Sequence, residues 1–475
     1  MHYAAYASRL QITLLMENAT PLHTGNGFDI PLDPENAKSP RVDRIVRDAA
    51  ERAYLPPASV KGVFRARFRA IDGTGRDLEE RLFGSAREDG GGSMGLAVWS
   101  GGTCVHQPSV GARVDVVQAD GAAVPVARRT RIDGATGTAS KNKLFAAEFC
   151  PPGTRFALTV TALGPLAEKT REVLAGRLSI ANAGDVAGAF LRLLVNVRHY
   201  GLHLGRSSGD GAGHLVGSGA FIDLVEYHGV SNRTIVTETI DLRSIAGVLS
   251  DLQPEDHAAE RFLLELHAET LFGVGGGSGT PPEGYKSSRE DGSNRSNTIF
   301  ALRDGASKPH LPGSSLMGAI RAKFRWWFRL RAVRAGQEAD EPRLEELERV
   351  LFGADPGATG IPAERTKPFA GLLRLGQVEL LSEVAPEDLD SVKVDRFTGG
   401  PFKTALFKVN AFPKPRWRIQ LYLDVRASGH VDAAGELRSF LAWMTTSGDL
   451  GSGLDLGFGR NRGFGWFAVK DMETH

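Results

Sequence analysis

Cysteine is almost missing from this chain. Its 475 residues include only Cys104 and Cys150, which excludes a disulfide framework and any zinc site of three or four cysteines, and fits a reducing compartment. Net charge is nearly missing too. Lys plus Arg is 57 and Asp plus Glu is 56, so bulk charge cannot hold a polyanion, and any anionic partner has to meet local basic clusters. Nowhere do 18 apolar residues run together, and the opening MHYAAYASRLQITLLMENATP has neither a basic start nor a small-residue cleavage site. The expectation is a soluble, cytoplasmic protein with no membrane partner. No G-x-x-x-x-G-K-S/T, H-E-x-x-H or paired C-x-x-C pattern occurs, so neither a nucleotide cofactor nor zinc is expected.

Glycine, by contrast, is abundant. There are 57 Gly against 24 Pro in a globular balance of 41% hydrophobic and 24% charged residues, which points to glycine loops on folded domains. The length suits two domains of roughly 200 to 250 residues each.

The chain is also written twice. Leu55 to Arg69 reads LPPASVKGVFRARFR and Leu311 to Arg325 reads LPGSSLMGAIRAKFR, an offset of 311 − 55 = 256 that the Arg47-Asp48 and Arg303-Asp304 pairs share. LEERLFG ending at Gly84 returns as LERVLFG ending at Gly353. IDGATGTASKNKLF from Ile132 returns as VDRFTGGPFKTALF from Val394, and the glycine loop GRSSGDGAG through Gly213 is matched by GFGRNRGFG through Gly465. Four blocks in the same order at nearly constant spacing indicate tandem duplication.

Each half opens on a strand-like segment, from Leu10 and from Phe262. The LP-x-x-S block then reads as a helix start, with proline ahead of a Ser able to accept an orphan backbone N–H. Val60, Phe64 and Phe68 form an apolar stripe matched by Leu316, Ile320 and Phe324; Lys61, Arg65 and Arg69 form a cationic face matched by Arg321, Arg325 and Arg329. Alternating strands from Thr154 and Trp417 and helices from Ala189 and Glu436 complete an α+β pattern, suggesting a ferredoxin-like unit in each half. The expected domains are 1–235 and 260–475, joined by 236–259, with a surface loop from Gly275.

The cationic rows have two readings, a solvated helix face or a grip on phosphates, and their repetition in a chain of net charge +1 favours the grip. Arg460 and Arg462 sit among glycines that let a backbone approach closely; the loop leads into a strand-like segment without a downstream acid, which removes a dinucleotide site. Trp326, Trp327 and Phe328 read as core packing ahead of base stacking.

The strings HTGNG from His23, VDRIVRD from Val42, YLPPASVKGVFR from Tyr54, the ID-x-x-TG block and the terminal glycine loop together resemble the RAMP superfamily, and LPGSSLMGAIRAKFRWWFR resembles it again in the second half. The resemblance is nearest to backbone subunits of type III CRISPR ribonucleoprotein effectors, as a fusion of two domains. It implies RNA-recognition-like RAMP domains with β-hairpin thumbs near the ID-x-x-TG blocks. The partners it implies are guide RNA, complementary target RNA and other effector subunits. Guide contacts are then expected from Ser59, Lys61, Arg65, Arg69, Gly211 and Gly213, and from Ser314, Ser315, Arg321, Arg325, Arg460, Arg462, Gly463 and Gly465. The resemblance also implies an aspartate, on the loop before the LP block, that cuts target RNA with a divalent metal, Mg²⁺ by analogy with the family; Asp43 matches it, with Asp29 and Asp33 as weaker candidates in the same loop. Asp43 as a plain turn or cap carboxylate is the competing reading. In the second copy the offset of 256 puts Ile299 opposite Asp43, although Asp291 or Asp304 could approach. Asp133 and Asp395 read as turn organisers. A purely structural RNA-binding role, and guide processing through His23, His199, His203 or His214, are the alternatives.

Overall fold

The computed structural model describes residues 8–31, 41–69, 71, 75–85, 92–108, 116–119, 122–132, 139–174, 176–179, 182, 184–206, 208–231, 234–239, 259–275, 298–303, 308–353, 371–394, 397–398, 400–424, 431–446, 449 and 451–472. They divide into two compact units, the first drawn mainly from the chain up to Ala259 and the second mainly from Glu260 onward. Most of the expected 236–259 connection and the loop after Gly275 lie outside the described residues.

The strands of the first unit are β1 (Arg9–Asn18), β2 (Gly25–Pro31), β3 (Arg41–Ile45), β4 (Tyr54–Leu55), β5 (Gly84–Ser85), β6 (Ser93–Met94), β7 (Ala97–His106), β8 (Val116–Ala119), β9 (Ala122–Ile132), β10 (Ala139–Glu148), β11 (Arg155–Leu163), β12 (Leu202–His203), β13 (His214–Ser231) and β14 (Thr234–Thr239). One sheet runs β12–β13–β1–β11–β7–β4 with β14 on β13, and a second runs β2–β3–β10–β9–β8. The central strand β1 alternates as its sequence does, sending Leu10, Ile12, Leu14 and Met16 into the core. The Pro57–Arg69 helix covers that sheet with the predicted stripe: Val60, Phe64 and Phe68 are all buried. Phe64 packs 4.4 Å from Trp99 of β7, and Phe83, on the Arg76–Phe83 helix, stacks on the same indole. Burying each such side chain contributes about 1.5–3 kcal/mol.

The second unit repeats the plan with β15 (Ala259–Ala268), β16 (Leu271–Phe272), β17 (Thr298–Phe300), β18 (Leu373–Leu380), β19 (Glu387–Val394), β20 (Pro401–Pro413), β21 (Arg416–Asp424), β22 (Leu454–Asp455) and β23 (Trp466–Met472). Its main sheet, β18–β21–β15–β23–β22, has the order β7–β11–β1–β13–β12 over again. Leu316, Ile320 and Phe324 of the Gly313–Arg334 helix are buried like their counterparts. Trp327 and Phe328 are core residues, while Trp326 stays partly exposed beside Trp443. The duplication therefore extends to backbone detail. Isolated bridges Arg47–Ala53 and Arg303–Pro309 differ by 303 − 47 = 256. Each unit is α+β, as expected.

One local expectation changes. In the second unit the helix is capped by Pro312, in extended conformation and without a side-chain cap bond, and Ser314 and Ser315 fall inside the first turn. Proline's fixed φ starts the helix two residues before a serine hydroxyl could act as its cap. Ser59 is likewise within its helix, exposed in the first turn.

Candidate functional site

The polar cluster of the first unit is built on β3, a strand with one wet face. Val42 is buried with Val126 and Ala146. Strand alternation then turns Asp43 to the open side, where its side chain is 44% exposed. The expected loop is thus a strand, held in antiparallel register by β2 and in parallel by β10, where Asp43 stands opposite Ala147. Asp29 belongs to β2 and is the register partner of Asp43, so the two carboxylates share one face of the ladder. Like charges directly opposite repel, and each is offset by an arginine: Arg41 lies 2.5 Å from Asp29, and Arg206 pairs with Asp43. Asp33 lies outside the described residues, as do Asp133, Asp291, Asp304 and Asp395.

Beneath this face, Glu148 at the end of β10 is fully buried. It accepts from Arg44 at 2.7 Å, from the Ile45 backbone N–H at 3.1 Å and from Arg47. Its backbone carbonyl lies 2.6 Å from His23 Nδ1. A carbonyl only accepts, so Nδ1 carries the hydrogen. The loop holding Arg206 is tied back to the same histidine, since Arg206 N–H donates to the His23 carbonyl at 2.9 Å.

The second unit has the same backbone with different side chains. Ile299 stands opposite Val409 in a parallel pair, as Asp43 stands opposite Ala147, with 299 − 43 = 256 and 409 − 147 = 262. Phe458 N–H donates to the Gly273 carbonyl at 2.8 Å, as Arg206 does to His23. Asp43, Arg206 and His23 are therefore replaced in register by Ile299, Phe458 and Gly273. Asn410 takes the place of Glu148 and accepts from Arg303.

The cationic helix rows have acidic partners. Glu79 binds Arg65 and also Arg69, the latter through two bonds of 2.7 Å; Glu348 binds Arg321 and Arg325 at 2.9 Å each. Arg69, and then Arg65, hold the Glu79 carboxyl below its ordinary range against the opposing effect of burial. Both glutamates come from the repeated LEERLFG and LERVLFG blocks, 348 − 79 = 269. Lys61 is half-buried, and burial, then neighbouring Arg65, push its ammonium down in pKa. Arg460 and Arg462 are exposed on a short 3-10 turn, with Arg462 over the rings of Phe407 and Phe464. Gly211, Gly213, Gly463 and Gly465 all have positive φ. At Gly213 and Gly465 a Cβ would come within 1.8 Å of the Leu204 and Leu456 carbonyl oxygens, so only glycine fits the loop closure.

A family model described as the RAMP superfamily matches residues 16–216 and, separately, 265–468. The chain belongs to the RAMP superfamily. It is a tandem RAMP protein, and membership makes it a CRISPR-associated RNA-binding subunit. A search among curated proteins finds no match to it. No described helix is long and apolar enough to cross a membrane.

Of the other histidines in the first RAMP repeat, His199 packs edge-on to Tyr200, and His203 and His214 stack at 4.5 Å across β12 and β13. Burial pushes the His214 imidazole below its ordinary value of 6.5, with the Tyr200 carbonyl opposing in part. The unfolded chain then takes up this proton first on acidification. The stability that neutral His214 contributes is complete above pH 6.5 and declines progressively below it. A melting series from pH 7.5 to 5 should show the first unit weakening, and His214→Phe should flatten that slope; equal slopes in both proteins would refute the assignment.

Sequence reading did not single out Glu148, Arg206, Glu79 or Glu348. For Glu79 and Glu348 a signal existed, an acid at the same place in a repeated block. For Arg206 the only signal was its position in the glycine loop.

Proposed function

We propose that this RAMP chain is a guide-RNA-binding backbone subunit of a type III CRISPR effector, whose first unit cuts target RNA at Asp43 and whose second unit holds RNA without cutting. The observation that carries this reading is the register match between Asp43 and Ile299: one scaffold, with a half-exposed carboxylate in one unit and an isoleucine in the other. The ID-x-x-TG blocks lie in the chain between the antiparallel strands β9 and β10 and between β19 and β20, pairs that would act as thumbs, with Phe397 fully exposed.

Asp43 and Asp29 would hold a divalent metal. Mg²⁺ keeps most of its waters and takes only one or two carboxylates, with RNA oxygens supplying other ligands, so two acids on an open face fit it. When bound, the metal would lower the barrier by neutralising charge on the phosphate. The chain's part is to position a displaced nucleotide so that its 2′-OH lines up with the scissile phosphate. A second reading, RNA holding alone, is favoured by the arginine pairing of both acids and by the lack, among the described residues, of any group of three His, Cys, Asp or Glu arranged for a metal.

Assembling the effector with guide and labelled complementary RNA separates the two. Asp43→Ala should slow one Mg²⁺-dependent cut by about 100-fold or more while guide binding is retained. Products unchanged by the substitution would leave RNA holding as the function.

A further inference from the structure

We propose that Arg206 is a phosphate-contacting residue of the first unit's cleavage site: on RNA binding its guanidinium leaves Asp43 for a non-bridging oxygen of the scissile phosphodiester. The inference rests on the cleavage reading of Asp43. One movement then does two things, freeing the aspartate and placing a cation where negative charge develops.

Three observations support it. Both partners of the pair stand half in solvent, Arg206 at 58% and Asp43 at 44% exposure, and an ion pair so exposed is weak because water screens it. A phosphodiester, which an arginine fork can grip through two oxygens, can displace it at little cost. The Glu79-bound Arg65 and Arg69 lack that freedom, since their partner is nearly buried and already doubly bonded.

The backbone at Arg206 is tied to the His23 carbonyl, so the guanidinium can move while the loop keeps its anchor. Gly205 has φ +92°, and a Cβ there would come within 2.2 Å of the His23 carbonyl oxygen. The Arg206 N–H is bonded to that same oxygen. The loop can approach only through glycine.

The second unit serves as an internal control. Gly457 has φ +86° with the same clash distance class, 2.3 Å to the Gly273 carbonyl, and Phe458 makes the same backbone bond. The backbone contact between the two loops therefore forms without an ion pair at that position. Where the aspartate is gone, the arginine is gone with it. A pair that the scaffold does not need, and that is lost together with the proposed cutting residue, belongs to the chemistry of the site.

In the step itself the 2′-oxygen bonds to the adjacent phosphorus and the bond from phosphorus to the 5′-oxygen breaks, leaving a 2′,3′-cyclic phosphate and a 5′-hydroxyl. The 2′-OH proton passes to solvent and the 5′-oxygen takes one from solvent. Arg206 gives and takes none; it neutralises the extra charge on the non-bridging oxygens.

The test uses the assembled effector with guide, labelled target and single-turnover conditions. Arg206→Ala should cut about 100-fold more slowly with guide and target affinity within about threefold, and Arg206→Lys should recover part of the rate. Sulfur at one non-bridging oxygen of the scissile phosphate should slow the wild type by a factor that Arg206→Ala no longer shows. Mn²⁺ titrated into the protein without target, read by electron paramagnetic resonance, should bind Arg206→Ala more tightly because Asp43 is released. The melting temperature should stay within about 1 °C. If Arg206→Ala cuts at the wild-type rate while Asp43→Ala does not cut, the inference fails and the cleavage reading stands. If Asp43→Ala cuts normally, the cleavage reading itself fails. A slowed Arg206→Ala that keeps the full sulfur effect removes the phosphate contact.

Discussion

Replacing Glu148 with alanine should lower the stability of the first unit by about 3–5 kcal/mol, the loss typical of removing one partner from a buried ion pair. The carboxylate is fully enclosed and is the shared acceptor of Arg44, Arg47 and the Ile45 N–H. Alanine takes away the carboxylate that two guanidinium groups share, each with only a minor part of its side chain in water and Arg47 keeping the Glu51 carbonyl, and orphans a buried N–H. Since Arg44 and Arg47 retain some solvent, the lower half of that range is the expected result. Urea unfolding with hydrogen exchange read on β3 and β10 measures it. In the second unit Phe300 and Asn410 occupy the positions of Arg44 and Glu148, and Asn410 accepts from Arg303 and donates to Asp388, where the first unit has Val126. Arg44→Phe combined with Glu148→Asn should therefore regain only part of the loss, since the asparagine N–H lacks that carboxylate. A single-variant loss under about 1 kcal/mol would show that the carboxylate is not what organises β3.

The next largest effect is expected from Glu348→Ala in the second unit, about 3 kcal/mol or more. Glu348 is almost wholly buried and receives Arg321 and Arg325, one turn apart on the same helix face. Its loss leaves two like charges adjacent without the carboxylate that both bind, and loosens the Glu341–Phe352 helix from the Gly313–Arg334 helix. Changing all three residues together, Glu348→Leu with Arg321→Met and Arg325→Met, removes every charge at once and should restore most of the stability. That triple variant also decides the role of the arginines. If RNA affinity and its salt dependence survive, the row is a clamp between helices; if the salt slope falls by about one per arginine, the same residues also reach phosphate.

These arginines show where sequence reading stops. The repeat, the LP-block helices, their apolar stripes and the central strands are local or periodic signals, and they were legible. So was the position of Ile299 opposite Asp43, because a constant offset survives folding and reappears as strand register. The acid that neutralises a cationic row sits on another helix, 14 residues from Arg65 and 27 from Arg321, and no periodicity links them. Asp43 read as a loop residue because RVDRI is short and polar, and it becomes a strand through pairing with β2 on one side and with β10, about a hundred residues away, on the other. Arg206 is 163 residues from Asp43, so their pairing exists only in three dimensions. The serine caps failed for a different reason, since proline had already settled where the helix begins.

The exchange of Asp43, Arg206 and His23 for Ile299, Phe458 and Gly273 also has a consequence for assembly. Under the proposed cleavage function, armed and silent grips made as separate polypeptides would mix in whatever ratio expression dictates. Tied in one peptide, they would enter any ribonucleoprotein one for one, so the number of incisions along a bound transcript would be fixed by covalent linkage and not by supply.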